Sequence, residues 1–220
     1  MSLVRSRSIH VVIFASVIRS ILTAKSSPVI VSPRLSSFEQ ALGSNESVTE
    51  WDDADTSLRA ALYHLGHLSQ AWKPVLSRGV YHMTMGNLVD LVLTLYLDAV
   101  IKAEDITESA SRFVHSLLLD ATKGTAEMFI VESPDDNNNI NIDSEDIQQQ
   151  RSQLANKYCS LFGKAQAVGM FMAMRLDEIE RGLEEGVFRS ITAKELSHLI
   201  RAAFDDSAKR TSLLNSLVSK

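Results

Sequence analysis

Between Thr192 and Leu217 the apolar positions fall where one face of a helix would put them. Leu196, Leu199, Ile200, Ala203 and Phe204 are spaced i, i+3, i+4, i+7 and i+8. Thr192 followed by Glu195 makes a capping box at the start, with the hydroxyl taking a free amide and the carboxylate reaching back to the cap amide. Asp205-Asp206-Ser207 interrupts the run and offers new caps, and Leu213, Leu214 and Leu217 form a second short stripe. The pattern predicts a helix pair that ends the domain. With the Phe204 ring in its core, Phe204→Ala would cost about 3–5 kcal/mol.

The same periodicity recurs upstream. A helix is predicted from Asp55 or Thr56, with a stripe at Leu58, Leu62, Leu65 and Leu68 and Trp72 at its far end. Pro74 forces Lys73 out of helical geometry and stops it. The segment from Gly79 to Lys102 is apolar except at Asn87, Asp90, Thr94, Asp98 and Lys102. These stack into a narrow wet stripe, so this is the expected central core helix. The aspartates in its middle argue against a membrane span. Beyond Asp105-Ile106-Thr107-Glu108, a third helix buries Phe113, Val114, Leu117, Leu118 and Ala121 and runs to about Phe129.

A fourth helix, the longest, is predicted from Ile147 to Leu183. Its seam of Leu154, Tyr158, Leu161, Ala165, Val168, Met172, Leu176, Ile179 and Leu183 is nearly a heptad repeat, which suits a coiled coil. Gly163, Gly169, Ala165, Ala167 and Ala173 favour instead close antiparallel packing within a bundle. Gly182 and Gly186 end the helix. Residues 132–146 hold six acids, no base, one Pro and four Asn, and are expected to form a flexible solvated loop. An EF-hand would need a Gly that this tract lacks.

Charge divides the chain. Residues 1–38 contain Arg5, Arg7, Arg19, Lys25 and Arg34 and no acid, leaving 17 basic and 27 acidic side chains for the rest. The overall charge of −5 argues against a general nucleic-acid binder. The apolar run from Val11 to Leu22 is too short to span a bilayer, and the basic start is compatible with a mitochondrial presequence, a signal peptide or a plain leader. Ser- and Pro-rich residues then read as a linker, so residues 1–54 are expected to be poorly ordered and residues 55–220 to form the helical domain.

Little in the chain points to catalysis. His64 and His67 lie at i, i+3, but His82 is separated from them by Pro74, and no carboxylate or cysteine completes a metal set at a plausible offset. Cys159, the single cysteine, excludes an intrachain disulfide and reads as a buried thiol. Met170, Met172 and Met174 fall on different helix faces and read as packing residues. There is no glycine-rich phosphate loop and no Ser/His/Asp arrangement with recognisable local context.

Three stretches carry a resemblance: LGHLSQAWKPVLSRGVYHMTMGNLVDLVL (residues 65–93), FVHSLLLDATKGTAEMF, and above all ELSHLIRAAFDDSAKRTSLL (residues 195–214). In the last, Leu199-Ile200-Arg201-Ala202-Ala203-Phe204, a polar turn, Lys209-Arg210 and Leu214 follow the pattern of the zeste-white-ten family. From about Leu58 onward the chain resembles the C-terminal region of that family. Family members are several times longer, and their N-terminal coiled-coil region has no counterpart here. The resemblance implies an all-α fold, an elongated antiparallel bundle of the helical-rod tether type. It implies a scaffold with no catalytic role and no cofactor, in a complex that tethers Golgi-derived vesicles at the endoplasmic reticulum, and in animals also at kinetochores. The implied partner is a large helical solenoid subunit (NAG, Sec-thirty-nine or Rod type), with SNAREs reached through the complex, no nucleic acid, and cytoplasmic location with peripheral membrane association. On this basis Arg201, Lys209 and Arg210 are candidate interface charges; the alternative is a solvated face that compensates helix dipoles. The competing reading is a mitochondrially targeted or membrane-associated helical protein.

Overall fold

The computed structural model describes residues 38, 42–43, 48–129 and 144–218. These residues form eight helices: α1 Val48–Trp72, α2 Arg78–Lys102, α3 Glu108–Glu127, α4 Ser144–Tyr158, α5 Phe162–Ala173, α6 Leu176–Glu185, α7 Ala193–Ala203 and α8 Ala208–Val218. Among the described residues there is no strand, so the fold is all-α as expected. The presequence question falls on residues 1–37, outside the described residues, as does most of the acidic tract. Ser144, Glu145 and Asp146, placed by sequence in that tract, instead open α4, where acids suit a helix N-terminus.

α1, α2 and α3 run up, down and up. Ser69 meets Tyr81 at one end of the α1–α2 pair and Tyr96 reaches the Ala54 carbonyl at the other, which makes the two helices antiparallel. The Tyr81 hydroxyl donates to the Met128 carbonyl at 2.6 Å, so the Ser69 hydroxyl, 2.6 Å away, donates to Tyr81. One buried phenol thereby pins the same end of all three helices. Burial, followed by the nearby Asp55, pushes the Tyr96 phenol up to about 12. α2 is the core helix the sequence predicts. Its buried residues, among them Met85, Val89, Leu93, Leu97 and Val100, meet α1, α4, α5 and α7 on different sides.

The first helix starts earlier than predicted. Ala54 is buried and the Trp51 ring stacks on Phe113 at 5.5 Å, so the acidic residues read as linker are the exposed side of the opening turns. Phe38 and Leu42 are also buried, with Phe38 edge-on to Tyr96 at 5.9 Å. Phe38, Leu42 and Ala54, within the span read as a leader, therefore contribute to the core.

The predicted fourth helix is three helices. Its first break, at Cys159–Leu161, contains neither Gly nor Pro and is imposed from α2. Gly86 lies so close to the C-terminus of α4 that a Cβ there would stand 2.0 Å from the Tyr158 carbonyl oxygen. One turn further along α2, the Asp90 carboxylate accepts from the Ser160 amide at 2.9 Å, the Ser160 hydroxyl at 2.8 Å, the Leu161 amide at 2.9 Å and the Cys159 thiol at 2.8 Å. Asp90 thus leaves the wet stripe to cap the entry to α5, while Asn87, Thr94, Asp98 and Lys102 stay exposed. Cys159 is buried, and burial followed by its bond to Asp90 pushes its pKa well above the usual thiol range. The second break, at Met174–Arg175, is closed by the Glu178 carboxylate accepting from the Arg175 amide at 2.7 Å. The coiled-coil alternative gives way to the bundle: α5 packs antiparallel on α3, with His115 Nδ1 donating to the Gly169 carbonyl at 2.8 Å. α6 ends on Gly186, whose φ of 76° is left-handed and suits glycine.

His82 is buried among Tyr81, Phe129 and Tyr158. Burial first, then Arg78 and Lys157, hold its imidazole below the ordinary histidine value. The native state therefore binds fewer protons there than the unfolded chain. His82 then contributes no pH penalty above its unfolded pKa, about 6.5, and stability falls as pH is lowered through that value towards the folded pKa. Denaturant titrations of wild type and His82→Gln from pH 7.5 to 5 should show a steeper acid loss in wild type. Parallel curves would mean that His82 charges freely in place.

Candidate partner-binding surface at the C-terminal helix pair

α7 begins as its sequence dictates. The Thr192 hydroxyl accepts from the Glu195 amide at 3.3 Å, and the Glu195 carboxylate accepts from the Thr192 amide at 3.0 Å. Leu196, Leu199 and Ile200 are buried, but the next buried position is Ala202; Ala203 is half-buried. The helix ends at Ala203, leaving Phe204 extended at φ −133° and ψ 138°. This redirects the Phe204 ring to a half-buried position, edge-on to Phe171 at 6.1 Å. Phe204→Ala is therefore expected to cost about 1–2 kcal/mol, below the 3–5 kcal/mol of a fully enclosed ring, when measured by chemical denaturation.

Three contacts tie α7 down. Lys164 of α5 pairs with Glu195 at 2.7 Å, with both side chains largely covered. Burial pushes the Glu195 carboxyl up, but the Lys164 and Thr192 hydrogen bonds outweigh it and hold the group below the usual carboxylate range. At the other end the Ala202 carbonyl accepts from the Ile106 amide at 2.9 Å, and His198 Nε2 donates to the Ala103 carbonyl at 2.9 Å. α7 therefore closes over the α2–α3 turn.

The three candidate charges have different surroundings. Arg201 is exposed on α7. Lys209 is exposed at the start of α8 and pairs with Asp177 of α6. Arg210 is turned inward, its side chain 15% exposed; it donates to the Phe204 carbonyl at 2.5 Å and the Arg201 carbonyl at 3.4 Å and pairs with Asp206. A guanidinium on the last carbonyls of α7 neutralises the negative end of that helix and fixes the α7–α8 turn. Arg210 and Arg201 are thus brought together through a carbonyl, and Lys209 is held apart by α6. Ser207 accepts from the Arg210 amide at 3.1 Å and caps α8, whose Leu213 and Leu217 are buried.

The remaining singled-out residues are dispersed. His64 and His67 lie on the surface of α1 with their rings against Tyr63, away from the buried His82. Among the described residues no group of three His, Cys, Asp or Glu is placed to hold a metal ion. Met172 is buried, Met170 is exposed and Met174 lies between them in burial. Sequence reasoning missed the exposed Val80, Met83 and Leu91 on α2, which continue the same stripe as Asn87 and Thr94. Spacing by three and four from Asn87 was the available signal.

A family model described as the ZW10 C-terminal helical domain matches residues 56–217. The chain belongs to that family. No curated protein matches it. The match takes in α7, α8 up to the buried Leu217 and the whole of the α2 seat, while Phe38, Leu42 and the opening turns of α1 lie outside it. The ZW10 C-terminal domain is a structural unit of a family of tethering and kinetochore scaffolds.

Proposed function

We propose that this domain is a non-catalytic interaction module of a vesicle-tethering complex in Golgi-to-ER retrograde transport, with a second role at kinetochores in organisms that use the subunit there. The family match over residues 56–217 carries this reading. Its partner is a large helical solenoid subunit of the NAG, Rod or Sec-thirty-nine type; SNAREs are reached through the complex, and the domain works in the cytoplasm, peripheral to the endoplasmic reticulum. The C-terminal helix pair supports such a role because caps at Thr192, Arg210 and Ser207 hold it in one geometry, which lowers the ordering cost of binding. Arg201 and Lys209 supply the outward charge of the interface, and Arg210 fixes the turn that presents them.

The test is affinity purification of the tagged, intact chain from its own cells, with mass spectrometry of the proteins recovered. Recovery of a solenoid tether subunit is expected. The double reversal Arg201→Glu/Lys209→Glu should lower that recovery about tenfold, as like charges at a rim do, with circular dichroism unchanged. Recovery of mitochondrial import machinery with a shortened chain would replace the scaffold by the targeted-protein reading.

A further inference from the structure

The seam positions Leu154, Tyr158, Leu161, Ala165, Val168 and Met172 step by 4, 3, 4, 3 and 4 straight through the α4–α5 break. A continuous helix would keep all six on one face. Nothing local stops such a helix. Tyr158-Cys159-Ser160-Leu161-Phe162 has no Gly or Pro, Leu161 offers no side-chain cap, and its backbone at φ −94° and ψ −6° is already close to helical.

The break is a competition for two amides. In a continuous helix the Ser160 and Leu161 amides would bond to the Asn156 and Lys157 carbonyls, four residues back. Here both go to Asp90, each at 2.9 Å, and the Cys159 thiol and Ser160 hydroxyl go with them. Gly86, one turn away on α2, lets the Tyr158 backbone approach closely enough for the exchange. The alternative arrangement therefore satisfies the same backbone donors by another route, as a bistable element requires.

We infer that the α4–α5 junction is a two-state hinge, held broken by Asp90 and Gly86, whose open state joins α4 and α5 into one helix with an uninterrupted apolar seam. Opening redirects the segment from α4 into α5 without unfolding α1–α3. The hinge stands on the geometry of this chain and does not depend on the scaffold role.

Cys159 reports the opening. It is the only cysteine, it is 1% exposed when the hinge is broken, and its thiol is released together with the two amides. The experiment measures labelling of Cys159 by a disulfide reagent in the native full-length chain without denaturant, comparing Ser160→Ala with Ser160→Gly. Both variants lose the same hydroxyl bond to Asp90. Among the described residues no non-glycine residue has positive φ, so glycine gains nothing special in the broken state. The variants differ in how well they suit a helix: opening into a continuous helix makes the alanine variant label about fivefold faster than the glycine variant. Opening into disordered chain reverses the order, because glycine favours unfolded states, and that result would overturn the proposal. Equal rates for the two variants would overturn it too. Asp90→Ala provides the second measurement. It should label at least tenfold faster than wild type with its far-UV helical signal retained, whereas a helical loss in step with labelling would show simple unfolding.

Discussion

Gly86→Val is expected to be among the most destabilising single substitutions in the domain, and Gly86→Ala is the cleaner form of the same test. Any Cβ at this position meets the Tyr158 carbonyl oxygen at 2.0 Å, its carbon at 2.6 Å and the Cys159 nitrogen at 3.2 Å. All three are backbone atoms, so no side-chain rotation relieves the clash. Alanine gains about 1 kcal/mol of helix propensity over glycine. Forcing atoms into a packed interior costs about 1–3 kcal/mol, and more where backbone must move. The clash wins, and we expect a net loss of about 2 kcal/mol for alanine. Valine brings two further methyl groups and a restricted χ1, so its loss should exceed 3 kcal/mol. Urea denaturation measures both. A Gly86→Ala variant within 0.5 kcal/mol of wild type would mean that α4 does not seat on α2.

Asp90→Ala should cost about 2–3 kcal/mol. Its carboxylate answers four donors, and hydrogen bonds to a charged group contribute about 1.5–3 kcal/mol each when one partner is removed and the other stays buried. The loss falls well short of the sum, because Ser160 is exposed and water replaces part of what it gives up. Asp90→Asn keeps one acceptor oxygen and turns an amide NH2, itself a donor, towards the remaining donors, so it should fall between alanine and wild type. Thermal and urea unfolding of both variants decide the matter. Identical stability in all three proteins would show that the junction is closed by other contacts.

The two ends of this domain differ in how openly their structure is written in the sequence. Thr192, Glu195 and the Leu196-Leu199-Ile200 face are local signals, spaced three and four apart, and α7 follows them directly. Its C-terminal residues deviate because the helix stops one residue short of Phe204 and turns that ring out of register. The three-part course of residues 144–185 could not be read the same way. Its first break is made by Asp90, which a stripe-by-stripe reading assigns to solvent and which lies far away in the chain. The start of α1 was hidden for a related reason: Trp51 and Ala54 sit among acids that resemble a linker, and their burial depends on Phe113 and Tyr96. At the candidate surface, the charge pattern names three cations but not their orientation. Whether Arg210 faces solvent depends on where the Phe204 and Arg201 carbonyls end up, which only the turn geometry decides.

The turn between α2 and α3 ties together segments from far apart in the chain. Two successive amides there have no partner in their own helices: Thr107 gives its proton to the Leu42 carbonyl at 3.1 Å, and Ile106 to that of Ala202 at 2.9 Å. On the ribosome these acceptors become available at very different times. The first is already outside the exit tunnel when the turn emerges; the second exists only once α7 has been synthesised. Until α7 arrives, a nascent chain must hold the Ile106 amide and its buried side chain in water or against a chaperone. Closure of the domain therefore waits for α7, and a premature stop ahead of α7 would release a chain with an unfinished seam between its first helices.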